Sequence, residues 1–253
     1  MSQSLTAPNP YHPAADLLAG RVVLVTGAGD GLGRAAARVY AKHGATVILL
    51  GRTVSKLEGV YDEILADGGL QAAITPMDLA RATSKEYESL VAAIDKEFGR
   101  LDGILHSAAE LGTLTPLELY DPELWTRVMQ INFNAAYIIT RMCLDLLKRS
   151  DDASVIFSSS DVARKARAYW GAYAAAGGAL ERLMETWADE LERNTRIRFN
   201  SLDPGPVATG LRARAYPGEA PDRHPRPEEV MDPYLYLMGP DSCGTTGRAF
   251  SVR

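Results

Sequence analysis

Glycine is concentrated in one short stretch near the start of the chain, between a short apolar segment and a segment with helical periodicity. Glycines at a strand-to-helix junction let the backbone turn sharply and approach a ligand, while the free N–H groups of the helix start can bind a pyrophosphate. The Gly-Lys pair of a Walker loop is absent, and Leu32 stands where the third glycine of G-x-G-x-x-G would be, so the pattern is T-G-x-x-x-G-x-G. The alternative is a glycine-rich turn that only packs a helix on a strand. The stretch comprises Thr26, Gly27, Ala28, Gly29, Asp30, Gly31, Leu32 and Gly33.

The end of the second apolar segment bears on which dinucleotide such a site would take. Proteins that bind NAD usually carry a carboxylate there, which bonds the adenosine ribose hydroxyls. This chain has Gly51 followed by Arg52 at that point, and a guanidinium can pair with a 2′-phosphate. Arg52 therefore favours NADP, with NAD less favoured. Asp30 in the glycine stretch argues mildly for NAD, and a simple surface role for Arg52 is the alternative.

Composition and charge exclude several classes of function. The 253 residues carry a formal net charge of −5, which gives no basic field for nucleic acid. The longest apolar stretch, 168–180, is too short to span a bilayer, and no signal peptide is visible. The four histidines lie far apart without ligand spacing, so we expect no metal site. A cytoplasmic location, with no membrane and no nucleic-acid partner, is the expectation.

Hydrophobic periodicity predicts strands and helices that alternate along the chain, which is typical of a parallel sheet covered on both faces. We therefore expect a single doubly wound α/β Rossmann domain over 1–253, with a parallel sheet of about seven strands. A leader covers 1–17, and an irregular segment rich in Pro, Gly and Arg covers 204–227. Predicted strands cover 21–25, 45–50, 72–76, 101–105, 153–158 and 197–202, and predicted helices cover 32–43, 55–66, 84–98, 125–148 and 170–193.

Seven segments in the expected order resemble the short-chain dehydrogenase/reductase family, and within it a group of bacterial oxidoreductases. They include LVTGAGDGLG, GRLDGILHSAA, VMQINFNAAYIITR and NSLDPGPVATG. The resemblance implies hydride transfer between a nicotinamide and a small carbonyl or alcohol substrate, with specificity in the 204–227 loop. It also implies a homodimer or homotetramer, in which residues such as Tyr137, Met142, Trp170 and Trp187 could contribute to the interface or equally lie in the core.

The resemblance also implies roles for particular residues. Tyr173 matches the tyrosine that exchanges a proton with the substrate oxygen, and Ser160 matches the serine that orients this oxygen; Ser158 and Ser159 are neighbours that could be confused with it. Asn132 matches an asparagine that supports a water relay. Further cofactor-binding positions implied by the match are Asp78, Leu79, Ser107, Ala108, Pro204, Gly205, Val207 and Thr209, and Asn200 belongs to the same matching segment.

The chain departs from the family at Gly177, four residues after Tyr173, where the family has a lysine. That lysine holds the ribose and lowers the pKa of the tyrosine, and a nearby cation depresses such a pKa by roughly 1–3 units. A tyrosine near its ordinary pKa of about 10 is a poor proton shuttle at neutral pH. A nearby base could replace the lysine or bind an anionic substrate, although a solvated basic turn is the simpler interpretation. The candidate bases are Arg164, Lys165, Arg167, Arg212 and Arg214.

Three hypotheses remain open from the sequence. The chain is an NADP-dependent oxidoreductase whose activity is altered by the loss of the lysine, or it is a non-catalytic homologue that acts as a scaffold, sensor or partner subunit. The third is a deliberate replacement of a natural lysine by Gly177. The presence of Tyr173, Ser160 and Asn132 favours the first hypothesis.

Overall fold

The protein is organised around one sheet of eight strands, all of whose neighbours run parallel. The structure, a computed structural model, describes residues 4–252. The strand order is β1-β8-β7-β6-β5-β2-β3-β4. The strands are β1 (Leu5–Thr6), β2 (Val22–Thr26), β3 (Thr46–Gly51), β4 (Ala73–Pro76), β5 (Gly103–His106), β6 (Ala153–Ser158), β7 (Ile197–Asp203) and β8 (Arg248–Ser251).

Helices cover both faces of this sheet, as expected for central parallel strands that are apolar on both sides. One hydrophobic core lies under α1, α2 and α10, and a second lies under α3, α5 and α8. The helices are α1 (Gly31–Lys42), α2 (Val54–Ala66), α3 (Ser84–Phe98), α4 (Pro122–Met129), α5 (Ala135–Met142), α6 (Leu144–Lys148), α7 (Asp161–Arg164), α8 (Gly171–Leu191), α9 (Gly210–Ala215) and α10 (Asp232–Met238).

The chain reverses its direction of winding next to β2, which pairs with β3 on one side and β5 on the other. In open α/β sheets, ligands bind in the crevice outside the carboxyl ends of the strands at this kind of switch point. The glycine stretch follows β2 directly, so the fold places it in the crevice.

The predicted fold class is confirmed, with three refinements. Leu5 and Thr6, in the predicted leader, form an eighth strand that pairs with Phe250 and Ser251 of β8. The predicted helix over 125–148 is divided, since a π-helical turn at Gln130–Asn134 separates α4 from α5, and Cys143 separates α5 from α6. The segment 204–227, predicted to be irregular, contains the short helix α9.

The opposite, amino-terminal end of the sheet is fastened by a buried ionic network. Asp152, just before β6, pairs with Arg198 of β7 at 2.8 Å and with Arg21 before β2. The Arg198 guanidinium also donates to the carbonyls of Leu237 and Gly239 behind α10. Burial alone would raise the pKa of Asp152, but the hydrogen bonds and charges of the two arginines lower it below the ordinary value. Three strands and α10 are thus joined through one carboxylate, far from the crevice.

No helix within residues 4–252 is long and apolar enough to cross a membrane.

Candidate active site

A cleft of about 610 Å³ opens at the carboxyl ends of the central strands and contains nearly all of the predicted site residues. This volume is within the roughly 300–1,000 Å³ common for small-molecule sites. Within the described part of the chain, no group of three or more His, Cys, Asp or Glu side chains is placed to hold a metal ion. The predicted residues that line the cleft are Thr26, Gly27, Gly29, Asp30, Gly31, Leu32, Arg52, Asp78, Leu79, Ser107, Ala108, Asn132, Ser160, Tyr173, Pro204, Gly205, Val207 and Thr209.

Gly33 belongs to the predicted glycine stretch but does not line the cleft. A Cβ at Gly33 would collide with the carbonyl oxygen of Gly27, so this glycine lets α1 pack closely on the end of β2. Gly27 adopts φ +68, and a Cβ there would lie 2.8 Å from Cα of Ala108. Both glycines are therefore required by close backbone approach.

One end of the cleft is basic. Arg52 lies after β3, and Lys56 stands one helical turn further along on α2, so both side chains line the cleft. The ammonium of Lys56 lies 2.6 Å from a carboxylate oxygen of Asp30, which also caps α1 by accepting from N–H of Gly31. The hydrogen bond from Lys56 holds the pKa of Asp30 below its ordinary value. Asp30 is thus engaged by protein partners, which removes much of its weight as an argument for NAD.

The segment after β5 is pinned by side chains from two other elements. The hydroxyl of Thr26 accepts from N–H of Ser107 at 3.1 Å and from N–H of Ala108 at 3.2 Å. His106, at the end of β5, lies buried against Phe157 with Nε2 2.9 Å from the hydroxyl of Thr140. Burial lowers the pKa of His106 to about 3, so its ring stays neutral. Thr26 therefore fixes the strand end beside the cleft.

Asn132, in the π-helical turn, also holds the segment after β5 in place. Its Oδ1 accepts from N–H of Glu110 at 2.8 Å, and its Nδ2 donates to the carbonyl of Glu110 at 2.9 Å. Both ends of the side-chain amide are engaged by one backbone residue. The structure thus gives Asn132 a positioning role on the loop after β5.

Tyr173 and Ser160 both line the cleft, and Ser160 lies close enough to the phenol to affect its pKa. Ser160 follows β6, and Tyr173 lies in the first turn of α8. Burial is the main cause that raises the pKa of Tyr173 above 10, and the carboxylates of Asp203 and Asp161 raise it further; the hydroxyl of Ser160 acts in the opposite direction. Ser159 also lines the cleft, but its hydroxyl donates to Glu181. The charged neighbours of the phenol are thus acids, and the phenol is held in its neutral form.

Of the five candidate bases near the missing lysine, Lys165 does not line the cleft, and the four arginines are paired with other groups. Arg164 lies 3.0 Å from Glu181 and also donates to Ser201 and the carbonyl of Phe250, on the far side of α7. Arg167 pairs with Asp161 and donates to the hydroxyl of Tyr216. Arg212 and Arg214 do line the cleft, but their charges are paired with Glu219 and Glu110. None of these four arginines is among the groups that act on the pKa of Tyr173.

The other end of the cleft is apolar and aromatic. Trp170 packs edge-on against Tyr173 with ring centroids 5.7 Å apart, and it also contacts Tyr216. The guanidinium of Arg212 stacks 3.8 Å above the ring of Tyr216 while it pairs with Glu219. These contacts hold α9 and the loop after it over the site. Buried Leu111, Val162, Trp170 and Ala215 form the centre of this apolar cluster.

Two expectations about residues outside the core motif change with the structure. Trp170 is only 9% exposed and belongs to the cleft, which removes it from the possible interface residues. Asn200 is buried and does not line the cleft; it bonds to the carbonyl of Thr245 and to N–H of Arg248. It links β7 to the segment before β8.

Several residues that line the cleft were not predicted from the sequence, among them Lys56, Glu110 and Trp170. Lys56 could have been found, because it lies four residues after Arg52 at the start of a predicted helix. Glu110 lies in a loop, where no periodicity indicates which side chains turn inward, and Trp170 begins the predicted helix 170–193, where an interface or a core position was expected.

Comparisons with known proteins agree with this geometry. Residues 21–220 match the family described as short chain dehydrogenase. The uncharacterized oxidoreductase YciK of Escherichia coli K12 is 44% identical over 243 residues, which cover 96% of each chain.

Solved structures show the same relationship. A short chain dehydrogenase from Pseudomonas syringae has 52% identity and a TM-score of 0.94, covering 96% of this chain and 98% of its own. A short chain dehydrogenase from Escherichia coli CFT073, solved in complex with NADPH, has 45% identity and a TM-score of 0.92, covering 95% and 100%. The fold, the crevice and these matches lead to one conclusion: the chain belongs to the short chain dehydrogenase family of oxidoreductases.

Proposed function

We propose that this protein binds NADP(H) and transfers hydride between the nicotinamide and a small carbonyl or alcohol substrate. The observation that carries the proposal is the order of groups along the cleft. A glycine-lined helix start lies beside the basic residues Arg52 and Lys56 at one end of the cleft, and Ser160 and Tyr173 line its apolar other end together.

The residues of the basic end fit a 2′-phosphate. Arg52 has no carboxylate partner among the described residues, and Lys56 stands beside it with only the exposed Asp30 as a partner. Two cations at a strand end favour a phosphorylated ribose over free ribose hydroxyls. Relatives solved with NADP and NADPH, at 45% identity, support the same choice.

The residues at the other end fit proton donation to a carbonyl. When bound, the nicotinamide supplies the hydride that reaches the carbonyl carbon. Ser160 orients the oxygen, and Tyr173 gives this oxygen its hydroxyl proton. Solvent then returns a proton to Tyr173, so one proton is consumed for each carbonyl reduced. Because the phenol stays neutral, the site supports reduction better than alcohol oxidation, in which Tyr173 would have to act as a base.

Titration with NADPH and NADH, followed by nucleotide fluorescence, tests the cofactor. We expect NADPH to bind about tenfold or more tightly than NADH, and Arg52→Ala to remove most of this preference. Arg196→Ala is the matched control, because Arg196 is exposed at the opposite end of the sheet and, among residues 4–252, pairs only with the exposed Asp151. Equal affinity for the two nucleotides in the unmodified protein would contradict the NADP proposal.

Gly177 favours one second candidate, a dinucleotide-binding protein without turnover. A panel of aliphatic and aromatic aldehydes and ketones, followed by NADPH absorbance, separates the two. Turnover that is lost in Tyr173→Phe supports the oxidoreductase. Tight NADPH binding without turnover on any member of the panel supports a sensor or partner subunit.

We further infer that the protein forms a homodimer or homotetramer through α5 and α8. Tyr137 is 40% exposed on α5 and stacks on Trp187 of α8, which places aromatic surface on this face. Light scattering during size exclusion gives the mass directly. A monomer at micromolar concentration would contradict the inference.

A further inference from the structure

The position of the family lysine is occupied in this chain by a close contact between two elements. The turn α7, which follows Ser160, lies directly on α8 at the glycine pair Gly177 and Gly178. A Cβ at Gly177 would lie 2.7 Å from Cβ of Ala163 and 3.4 Å from its Cα. At Gly178 a Cβ would lie 3.4 Å from the carbonyl oxygen of Ala163.

The contact at Gly177 is tight because neither side can yield at low cost. Apolar carbon atoms prefer separations of about 3.5–4.0 Å, so a carbon at 2.7 Å must displace its neighbour. The Cβ of Ala163 has no rotatable bond and moves only with its backbone. Any side chain at residue 177, lysine included, therefore has to push α7 away from α8.

The turn is also held in place beyond this contact. Arg164, the next residue, pairs with the buried carboxylate of Glu181, which lies one helical turn beyond Gly177 on α8. Glu181 in turn accepts a hydrogen bond from Ser201 of β7 at 2.7 Å. Moving α7 outward would strain this buried ion pair, and it would carry Ser160 away from Tyr173.

We propose that Ala163 is a positioning residue that closes the lysine position, so that its methyl group and any side chain at residue 177 exclude each other. The proposal rests on the proposed function, because it assigns Tyr173 the proton transfer. In the proposed reaction, Tyr173 transfers its proton without a lysine ammonium at residue 177. The packing of Ala163 against Gly177 leaves no space for that side chain. Replacement of Gly177 alone cannot restore the family arrangement; the methyl group of Ala163 has to be removed as well.

The charges around Tyr173 are consistent with a closed lysine position. The groups that face the phenol are Ser160 at the end of β6, Asp161 on α7, Asp203 on β7 and the hydroxyl of Tyr234 on α10. None of them is a cation. A lysine admitted by the removal of the Ala163 methyl would be the first positive charge among these groups, and it would lower the pKa of Tyr173.

Thermal unfolding of Gly177→Ala tests the packing. The melting temperature should fall if the space at residue 177 is closed, and rise if that space is open. Alanine is the better helix former, so Gly→Ala in an open helix position raises the melting temperature. Gly59→Ala is the matched control, since Gly59 lies inside α2 with nothing within 4 Å of its Cβ position. We expect Gly59→Ala to raise the melting temperature and Gly177→Ala to lower it by about 3–10 °C.

Removal of the Ala163 methyl should reverse the effect. We expect Ala163→Gly to recover most of the loss in the Gly177→Ala background, but to lower the melting temperature in the unmodified protein. The same coupling is expected with Gly177→Lys. In the double variant Ala163→Gly, Gly177→Lys, the pKa of Tyr173 should fall by about 1 unit or more, followed as tyrosinate absorbance that disappears with Tyr173→Phe.

Two results would overturn the proposal. One is a rise in melting temperature for Gly177→Ala equal to that for Gly59→Ala. The other is an equal effect of Ala163→Gly whether residue 177 carries a side chain or not. These unfolding measurements are made without nucleotide. They can therefore be interpreted even if the protein does not bind NADPH.

Discussion

The hydroxyl of Thr26 connects two strand ends that must stay in register for the cleft to keep its shape. It is almost fully buried and accepts from two successive N–H groups, those of Ser107 and Ala108. Leaving buried N–H groups unpaired costs about 1–3 kcal/mol each in typical cases. A single side-chain oxygen thus fixes backbone on which a ligand would lie.

We expect Thr26→Val to weaken NADPH binding about tenfold and to lower the free energy of unfolding by about 2 kcal/mol. Valine keeps the shape and removes the acceptor. Calorimetric titration and thermal unfolding measure the two effects. Thr186→Val serves as the control, because that hydroxyl is exposed and bonds only within α8. Unchanged affinity for NADPH in Thr26→Val would show that Thr26 does not organise the cleft.

The ionisation of Tyr173 gives a second prediction at this scale. Burial and two carboxylates raise its pKa above the ordinary value of 10.0, so the proton donor is present at every pH below that value and is lost only as the pH rises through the higher, folded-state pKa. We therefore expect no tyrosinate absorbance from Tyr173 up to about pH 10. The difference in absorbance between the unmodified protein and Tyr173→Phe isolates this residue. A titration step near pH 7 would contradict the neutral-donor assignment.

Among the elements, α9 and the loop that follows it are held over the cleft by side chains with opposite charges. Arg212 both pairs with Glu219 and stacks on Tyr216, while Tyr216 accepts a hydrogen bond from Arg167. The hydrogen bond and charge of Arg212 keep the pKa of Glu219 below its ordinary value. These contacts close the loop after α9 on itself and tie it to the turn before α8.

Removal of Arg212 should release this loop. We expect Arg212→Ala to increase the rate of limited proteolysis within 216–226 several-fold, because both the ion pair and the stacking are lost. Arg223→Ala is the matched control in the same loop, since Arg223 is 65% exposed and lies 3.9 Å from Glu219. Mass spectrometry of the fragments locates the cuts. Equal cleavage rates in both variants would mean that Arg212 does not hold the loop.

Most elements could be predicted from the sequence because their apolar periodicity is local, as for the strand Ala153–Ser158 and the helix Ser84–Phe98. The π-helical turn at Gln130–Asn134 could not, because it interrupts a helical pattern without glycine or proline to mark it. The contact between Ala163 and Gly177 was also invisible. Two small residues far apart in the chain have no pattern, and only the packing of α7 on α8 brings them together.

For the molecule as a whole, one end of the sheet forms the binding cleft and the other end contributes to stability. The carboxyl ends of the strands carry the cleft, while the amino ends carry the network of Asp152 with Arg198 and Arg21. The Arg198 side chain is 4% exposed, so the loss of its partner would leave a buried, uncompensated cation. Stability and binding should therefore be separable by substitution.

We expect Asp152→Ala to lower the free energy of unfolding by about 3 kcal/mol while NADPH affinity stays within twofold of the unmodified value. Asp151→Ala is the matched control, because that neighbouring carboxylate is fully exposed. Since the pKa of Asp152 is lowered on folding, its contribution is present above the unfolded pKa of about 3.9 and is lost as the pH falls through the lower folded value. The difference between the two proteins should therefore shrink in acid, and a constant difference down to pH 2 would refute the ionic origin.

The contact of Ala163 with Gly177 also has a consequence for how such a sequence could have arisen. In a lineage that starts with a lysine at residue 177, the methyl at residue 163 is acceptable only after that lysine has gone. Once the methyl is present, a single reversion at residue 177 meets an occupied site and is selected against. The loss of the lysine followed by the gain of the Ala163 methyl is therefore easier than the reverse. Return to a lysine at residue 177 would require both positions to change together.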